Sequence, residues 1–213
     1  SSSGNKITLK TPELAPGDKG YNEVKNYVKE KFDAFYNAIK SSSANLADYA
    51  DVDSVTKIYL INELGKNWDS GVSSLYFTYK QDENGDWKFF GSPVWDYDNS
   101  LGNAKGVEWD LGNIGVNDYE QYSGWWCKYK DKGKNSNSTN NVMNLISRNK
   151  NVIKAAPQVW FEDFVPALKT FMSSGVSEGE IYSSDVYYNY LKGSAEMNYK
   201  SGWLLNTGSW IAD

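Results

Sequence analysis

The sequence predicts an α+β fold, mainly helical, with a central β-hairpin between two acidic loops, and three features of its 213 residues carry that prediction. Apolar residues recur at intervals of three and four over residues 21–40 and again over 53–65, the period of a helix with one face on a core. Two aromatic and β-branched runs, Leu75-Tyr76-Phe77-Thr78-Tyr79-Lys80 and Trp87-Lys88-Phe89-Phe90, flank Asp82-Glu83-Asn84-Gly85-Asp86, whose Asn-Gly pair signals a hairpin turn. On either side of the hairpin, Lys66-Asn67-Trp68-Asp69 and Pro93-Val94-Trp95-Asp96-Tyr97-Asp98 set carboxylates beside a Trp.

In chain order, Ile7 to Leu9 reads as a short strand, followed by a loop through Pro12 and Pro16-Gly17. The helix over 21–40 offers Val24, Tyr27, Val28, Phe32, Phe35, Ala38 and Ile39 to the core, and Ser41-Ser42-Ser43 ends it. Asp51 and Asp53 are good N-cap residues for the helix over 53–65. That helix is expected to bury Val55, Ile58, Leu60 or Ile61, and Leu64, with Gly65 as its C-cap. Its end delivers Asn67, Trp68 and Asp69.

Beyond the second acidic loop, residues 105–117 are Gly-rich and irregular, anchored by Trp109 and Leu111. Residues 119–129 gather Tyr119, Tyr122, Trp125, Trp126 and Tyr129, which suit either a packed wall or a platform on which sugar rings stack. Residues 130–141 are polar and low in complexity, as in an exposed loop. Helical patterns follow over 141–147, over 151–161 with Pro157 marking a break or kink, and over 164–172, 181–192 and 194–203. With no repeat and no linker, residues 1–213 read as a single domain large enough for a sizeable core.

Composition removes several function classes. The chain has no His, which excludes Ser-His-Asp and Cys-His nucleophiles and most zinc constellations. Net charge is -5, and Arg148 is the one arginine among 22 basic residues, so there is no basic stripe for nucleic acid. The single Cys127 cannot form an internal disulfide and fits a small buried residue better than a reactive thiol. No apolar run reaches the roughly 18 residues of a membrane helix. Sparse Arg with abundant Asn, Ser, Tyr and Trp is compatible with a secreted bacterial protein.

A hairpin brings the residues before its first strand beside those after its second, so Asp69 is expected near Asp96 and Asp98. Three carboxylates in one place repel one another unless a cation or basic side chain neutralises them. The oxygen-seeking ions Mg²⁺ and Ca²⁺ are the natural partners. Asp96-Tyr97-Asp98-Asn99-Ser100 is also a good turn former, although a turn needs one Asp rather than two beside a Trp95 that reads as buried. Asn99 and Asn103 would add neutral oxygens, as around a structural calcium. Glu63, on the preceding helix, is placed to pair with Lys66 or another lysine.

Residues 51–69, ending in Lys66-Asn67-Trp68-Asp69, then the hairpin, then Gly91-Ser92-Pro93-Val94-Trp95-Asp96-Tyr97-Asp98 and on to Asn103, resemble the CotH family of spore-coat and secreted kinase-like proteins. Lys10-Thr11-Pro12-Glu13 and residues 194–203 are similar to that family's flanking regions. The resemblance implies an atypical protein-kinase-like C-terminal lobe, in which Asp69 is the catalytic base or hydroxyl-orienting group and Asp96 the magnesium ligand, with Asp98 nearby. It implies ATP- and Mg²⁺-dependent phosphorylation of Ser or Thr in a partner protein, in an extracellular or cell- or spore-surface setting.

Phosphoryl transfer also needs the nucleotide phosphates to be held. The chain has neither a Gly-x-Gly-x-x-Gly nor a Gly-x-x-x-x-Gly-Lys-Ser/Thr motif, and in the resembled family the nucleotide-gripping lobe precedes the matched region. The 213 residues are therefore expected to be a fragment lacking that lobe, to use ATP only together with it, and to be inactive alone. Ser73 and Ser74 also stand where kinase-like sites carry a metal-binding Asn. The alternative is an extracellular module that grips carbohydrate or protein through its Trp/Tyr surface, with a structural acidic site. A paired-carboxylate glycosidase is less compatible, since it needs its carboxyls facing across an open groove.

Overall fold

The computed structural model describes residues 7–67, 74–97, 100–101, 125, 142–177, 179 and 181–200, which fall into two compact units, Ser1–Val159 and Trp160–Asp213. Its elements are mainly helical with one two-stranded antiparallel sheet, as the sequence predicts.

Helix α1 spans Tyr21–Lys40, with Glu23 in its first turn and Lys40 in its last, each complementing the helix dipole. Its buried residues are concentrated in the second half, at Phe32, Phe35, Tyr36, Ala38 and Ile39, whereas Tyr27 is 47% exposed. Ser41 closes the helix: its N–H reaches the Asn37 carbonyl, and its Oγ accepts from the Ser43 and Ala44 amides. The strand expected at residues 7–9 is not formed. Ile7 is exposed there, so the apolar alternation buries no face.

Helix α2, Val52–Gly65, starts at Asp51, whose Oδ1 accepts the Ser54 amide at 2.7 Å. It buries Val55, Ile58, Tyr59, Leu60 and Asn62, while Leu64, expected inside, is exposed. Elements pack around this helix from more than one side, so a single-face pattern misreads its last turn. The left-handed C-cap is Lys66, φ 46°, one residue past the expected Gly65.

Strands β1 (Phe77–Gln81) and β2 (Trp87–Gly91) pair with Tyr79 opposite Phe89. At the tip, Asp82 Oδ1 accepts the Asn84 and Asp86 amides, its Oδ2 pairs with Lys88 Nζ at 2.7 Å, and Gly85 takes φ 85°. The Lys88 ammonium, bonded to Asp82, holds that carboxyl below the ordinary Asp range, and Asp82 in turn raises the Lys88 pKa. A depressed carboxylate stabilises the fold above the unfolded pKa, and that contribution is lost as pH falls through the folded value. The Asn84 and Asp86 amide shifts should therefore show a step with a midpoint below the ordinary Asp value, and Asp82→Asn should remove that step.

The hairpin is tied to both helices. Phe89 exchanges backbone hydrogen bonds with Tyr49 and Asp51 just ahead of α2, both at 2.9 Å. Its ring meets Phe35 at 4.7 Å and Phe32 at 6.1 Å. Tyr79 lies between Phe89 and Tyr27, and burial, then the bond with Tyr27, pushes its hydroxyl up to about 12. Helices α3 (Val142–Ile146) and α4 (Lys150–Val159) lie in the same unit. Asn149 joins them to α1, its Nδ2 donating to the Ile39 carbonyl and its Oδ1 accepting the Asn151 amide. Pro157 lies inside α4 and does not break it.

In the second unit, a π-helical turn (Trp160–Phe164) leads into α5 (Val165–Met172), which matches the helix expected over 164–172, and one helix, α6 (Ser184–Lys200), runs through the two expected over 181–192 and 194–203. Phe161 is exposed on the π turn. Helix α6 starts three residues later than predicted because the Asp185 carboxylate gathers the Ser183 and Ser174 hydroxyls and the Gly175 and Val186 amides into one turn. These bonds, Ser183 first, pull the Asp185 pKa down to about 2. The stabilisation is present above the ordinary Asp pKa and is lost as pH falls through about 2. Asp185→Asn should lower helix stability at neutral pH and flatten its dependence on acid, read by circular dichroism.

Candidate functional site

The loop leaving the hairpin, residues 92–101, is fastened to the last turn of α2. Tyr97 Oη donates to Asn62 Oδ1 at 2.9 Å, and the Leu101 amide donates to the Gly65 carbonyl at 2.6 Å. Ser100 Oγ closes the loop on itself by donating to the Tyr97 carbonyl. A Cβ on Gly65 would lie 3.3 Å from the Tyr97 ring, so a bare backbone is what lets the ring approach.

At the open end of the hairpin the two chain segments touch. Ser74, ahead of β1, donates its Oγ to Asp96 Oδ2 at 2.9 Å, and the Ser92 amide donates to the Tyr76 carbonyl. Asp96 is exposed and has φ 63°. Lys66, Asp96 and Leu101 are the non-glycine residues with left-handed backbone among those described, and all three lie at this loop–helix junction. Such conformations are costly and persist where the surroundings over-determine them, often at functional sites. Glu63 and Lys66, both buried, lie in the same turn.

Of the predicted site residues, Asp96 is described and borders the open end of the hairpin, while Asp69 and Asp98 lie outside the described residues. Also outside are Trp68, Asn99, Asn103, Cys127, the stretches 105–117 and 130–141, and the aromatic span 119–129 apart from the half-exposed Trp125. Among the described residues no three acidic, His or Cys side chains cluster as a metal site. Trp95, expected to be buried, is 62% exposed, touching Tyr76 edge-on. Tyr97, rather than Trp95, supplies the loop's anchor. Sequence reasoning passed over Tyr97 and Asn62. The signal available was a polar residue inside an apolar helix and an aromatic ring between two Asp residues.

Fold and site together define a mainly helical α+β protein whose acidic loop is fastened to the end of a buried helix. The sequence model of the CotH kinase protein family matches residues 3–153, and the chain belongs to that family. Its function is kinase-like at that coarse level. Comparison with curated proteins and with solved structures returned no match. No helix among the described residues is long and apolar enough to cross a membrane.

Proposed function

We propose that this chain is the metal-binding, C-terminal lobe of a CotH-type atypical protein kinase, transferring phosphate from ATP to Ser or Thr of a partner protein at a cell or spore surface. In this reading Asp69 accepts a hydrogen bond from the acceptor hydroxyl and orients it, while Asp96, with Asp98, holds Mg²⁺. The cation, when bound, neutralises charge on the transferring phosphate. Ser74 fixes the rotamer of Asp96. The donors described are all oxygens, a set that suits hard Mg²⁺ or Ca²⁺ and, with no His in the chain, is poor for zinc.

The observation that carries this reading is the Ser74–Asp96 hydrogen bond. It shows that the segment leaving the first acidic loop and the segment forming the second meet across the hairpin. Calorimetric titration with Mg²⁺ or Mn²⁺ is the test. Asp96→Ala should weaken binding by at least about 100-fold, and Ser74→Ala, which removes only the orienting partner, by about 10-fold. Absence of metal binding in the parent chain, or equal binding by Asp96→Ala, would remove the proposal. The isolated chain, with no Gly-rich phosphate loop, is expected to transfer little or no phosphate. Joined to a nucleotide-gripping lobe it should bind ATP with Mg²⁺, and Asp96→Ala should abolish that binding.

A further inference from the structure

We propose that Tyr97 and Asn62 form a positioning pair that sets the placement of the acidic loop and thereby its affinity for a divalent cation. This rests on the metal-binding role proposed for Asp96. Asn62 is almost fully buried in α2, and its Nδ2 donates to the Ile58 carbonyl at 2.7 Å. That bond assigns the amide: the nitrogen is committed to its own helix, which leaves Oδ1 facing the Tyr97 hydroxyl. The acceptor is therefore pre-oriented before the loop docks. Tyr97 immediately follows Asp96, so the pinned ring limits where the exposed carboxylate can sit.

Gly65 provides a second, independent part of the same device. It ends α2 without needing a left-handed conformation, since that falls on Lys66. A side chain there would meet the Tyr97 ring at 3.3 Å and Ser100 Cβ at 3.7 Å. The glycine thus serves close approach of the loop, at the turn whose carbonyl also accepts the Leu101 amide. Two separate features of one helical turn hold one loop, and that loop carries Asp96.

The experiment compares Mn²⁺ affinity, thermal stability and hydrogen exchange of residues 92–101 in the parent chain, Tyr97→Phe, Gly65→Ala and Asp96→Ala. Tyr97→Phe keeps the ring and its packing and removes only the hydroxyl. It should weaken Mn²⁺ binding about 10-fold, the effect of losing an outer-shell partner, and speed exchange of the Leu101 amide in metal-free protein. Gly65→Ala keeps the hydroxyl and improves helix propensity, yet should also weaken Mn²⁺ binding as the ring is displaced. Loss of affinity without loss of thermal stability in Gly65→Ala separates positioning from a merely structural role. If the parent binds Mn²⁺, Asp96→Ala does not, and Tyr97→Phe and Gly65→Ala bind as the parent does, the pairing is refuted while the metal site stands. A parent that takes up no Mn²⁺ overturns both.

Discussion

Phe35→Ala is expected to lower the unfolding free energy of the first unit by about 3–5 kcal/mol, the range for truncating a buried aromatic residue. Phe35 is fully buried, and its ring centroid lies 5.2 Å from Phe77, 4.7 Å from Phe89 and 6.0 Å from Phe32. Its removal opens a cavity where α1 meets both strands, and rings held on the other side by backbone pairing cannot collapse into it. Whole domains are stable by only about 5–15 kcal/mol, so the variant should be partly unfolded well below the parent's midpoint. Urea denaturation followed by tryptophan fluorescence would measure it. Tyr27→Ala, on the same helix but half exposed, should cost less, about 1 kcal/mol, through the edge contact and hydroxyl bond it makes with Tyr79.

Gly91→Ala should destabilise by about 1–3 kcal/mol through overpacking, a larger effect than one methyl group ordinarily has. The added Cβ would overlap the Ser54 backbone carbonyl and sit 3.0 Å from Ile58 Cγ2. Neither the first turn of α2 nor the end of β2 can give way freely, because the Gly91 amide already donates to Ser54 Oγ at 3.1 Å. Relief requires the strand to lift from the helix, carrying the acidic loop that follows it. Gly91→Ala is therefore expected to weaken Mn²⁺ binding as well as stability. Gly85→Ala offers the contrast. Its Cβ meets open space, and only the left-handed backbone opposes it, at about 1–2 kcal/mol, with no effect on the metal.

Much of this was legible in the chain, and the reasons differ by element. The bounds of α1 follow from periodicity because one side of it, Tyr27 included, faces solvent. The hairpin follows from Asn84-Gly85, although its first strand starts two residues later than the aromatic run. Periodicity fails for the end of α2, where Asn62 and Glu63 are buried and Leu64 is not, because loop 92–101 covers what would otherwise be a wet face. That contact is between residues distant in the sequence and depends on an amide orientation, which no local pattern encodes. That the segment just ahead of β1 would meet the loop after β2 could be foreseen from hairpin topology. That Ser74 would be the residue to touch Asp96, and Tyr97 the anchor in place of Trp95, could not.

Metal-directed cleavage tests the site most directly. With Fe²⁺ in place of Mg²⁺, ascorbate and peroxide cut the backbone close to the bound ion, and mass spectrometry maps the cuts. Fragmentation is expected in two stretches far apart in sequence, residues 66–74 and 92–101, and should disappear from both in Asp96→Ala. Cuts in only one of the two, or cuts that persist unchanged in Asp96→Ala, would contradict a cation held by Asp96 within reach of both acidic loops.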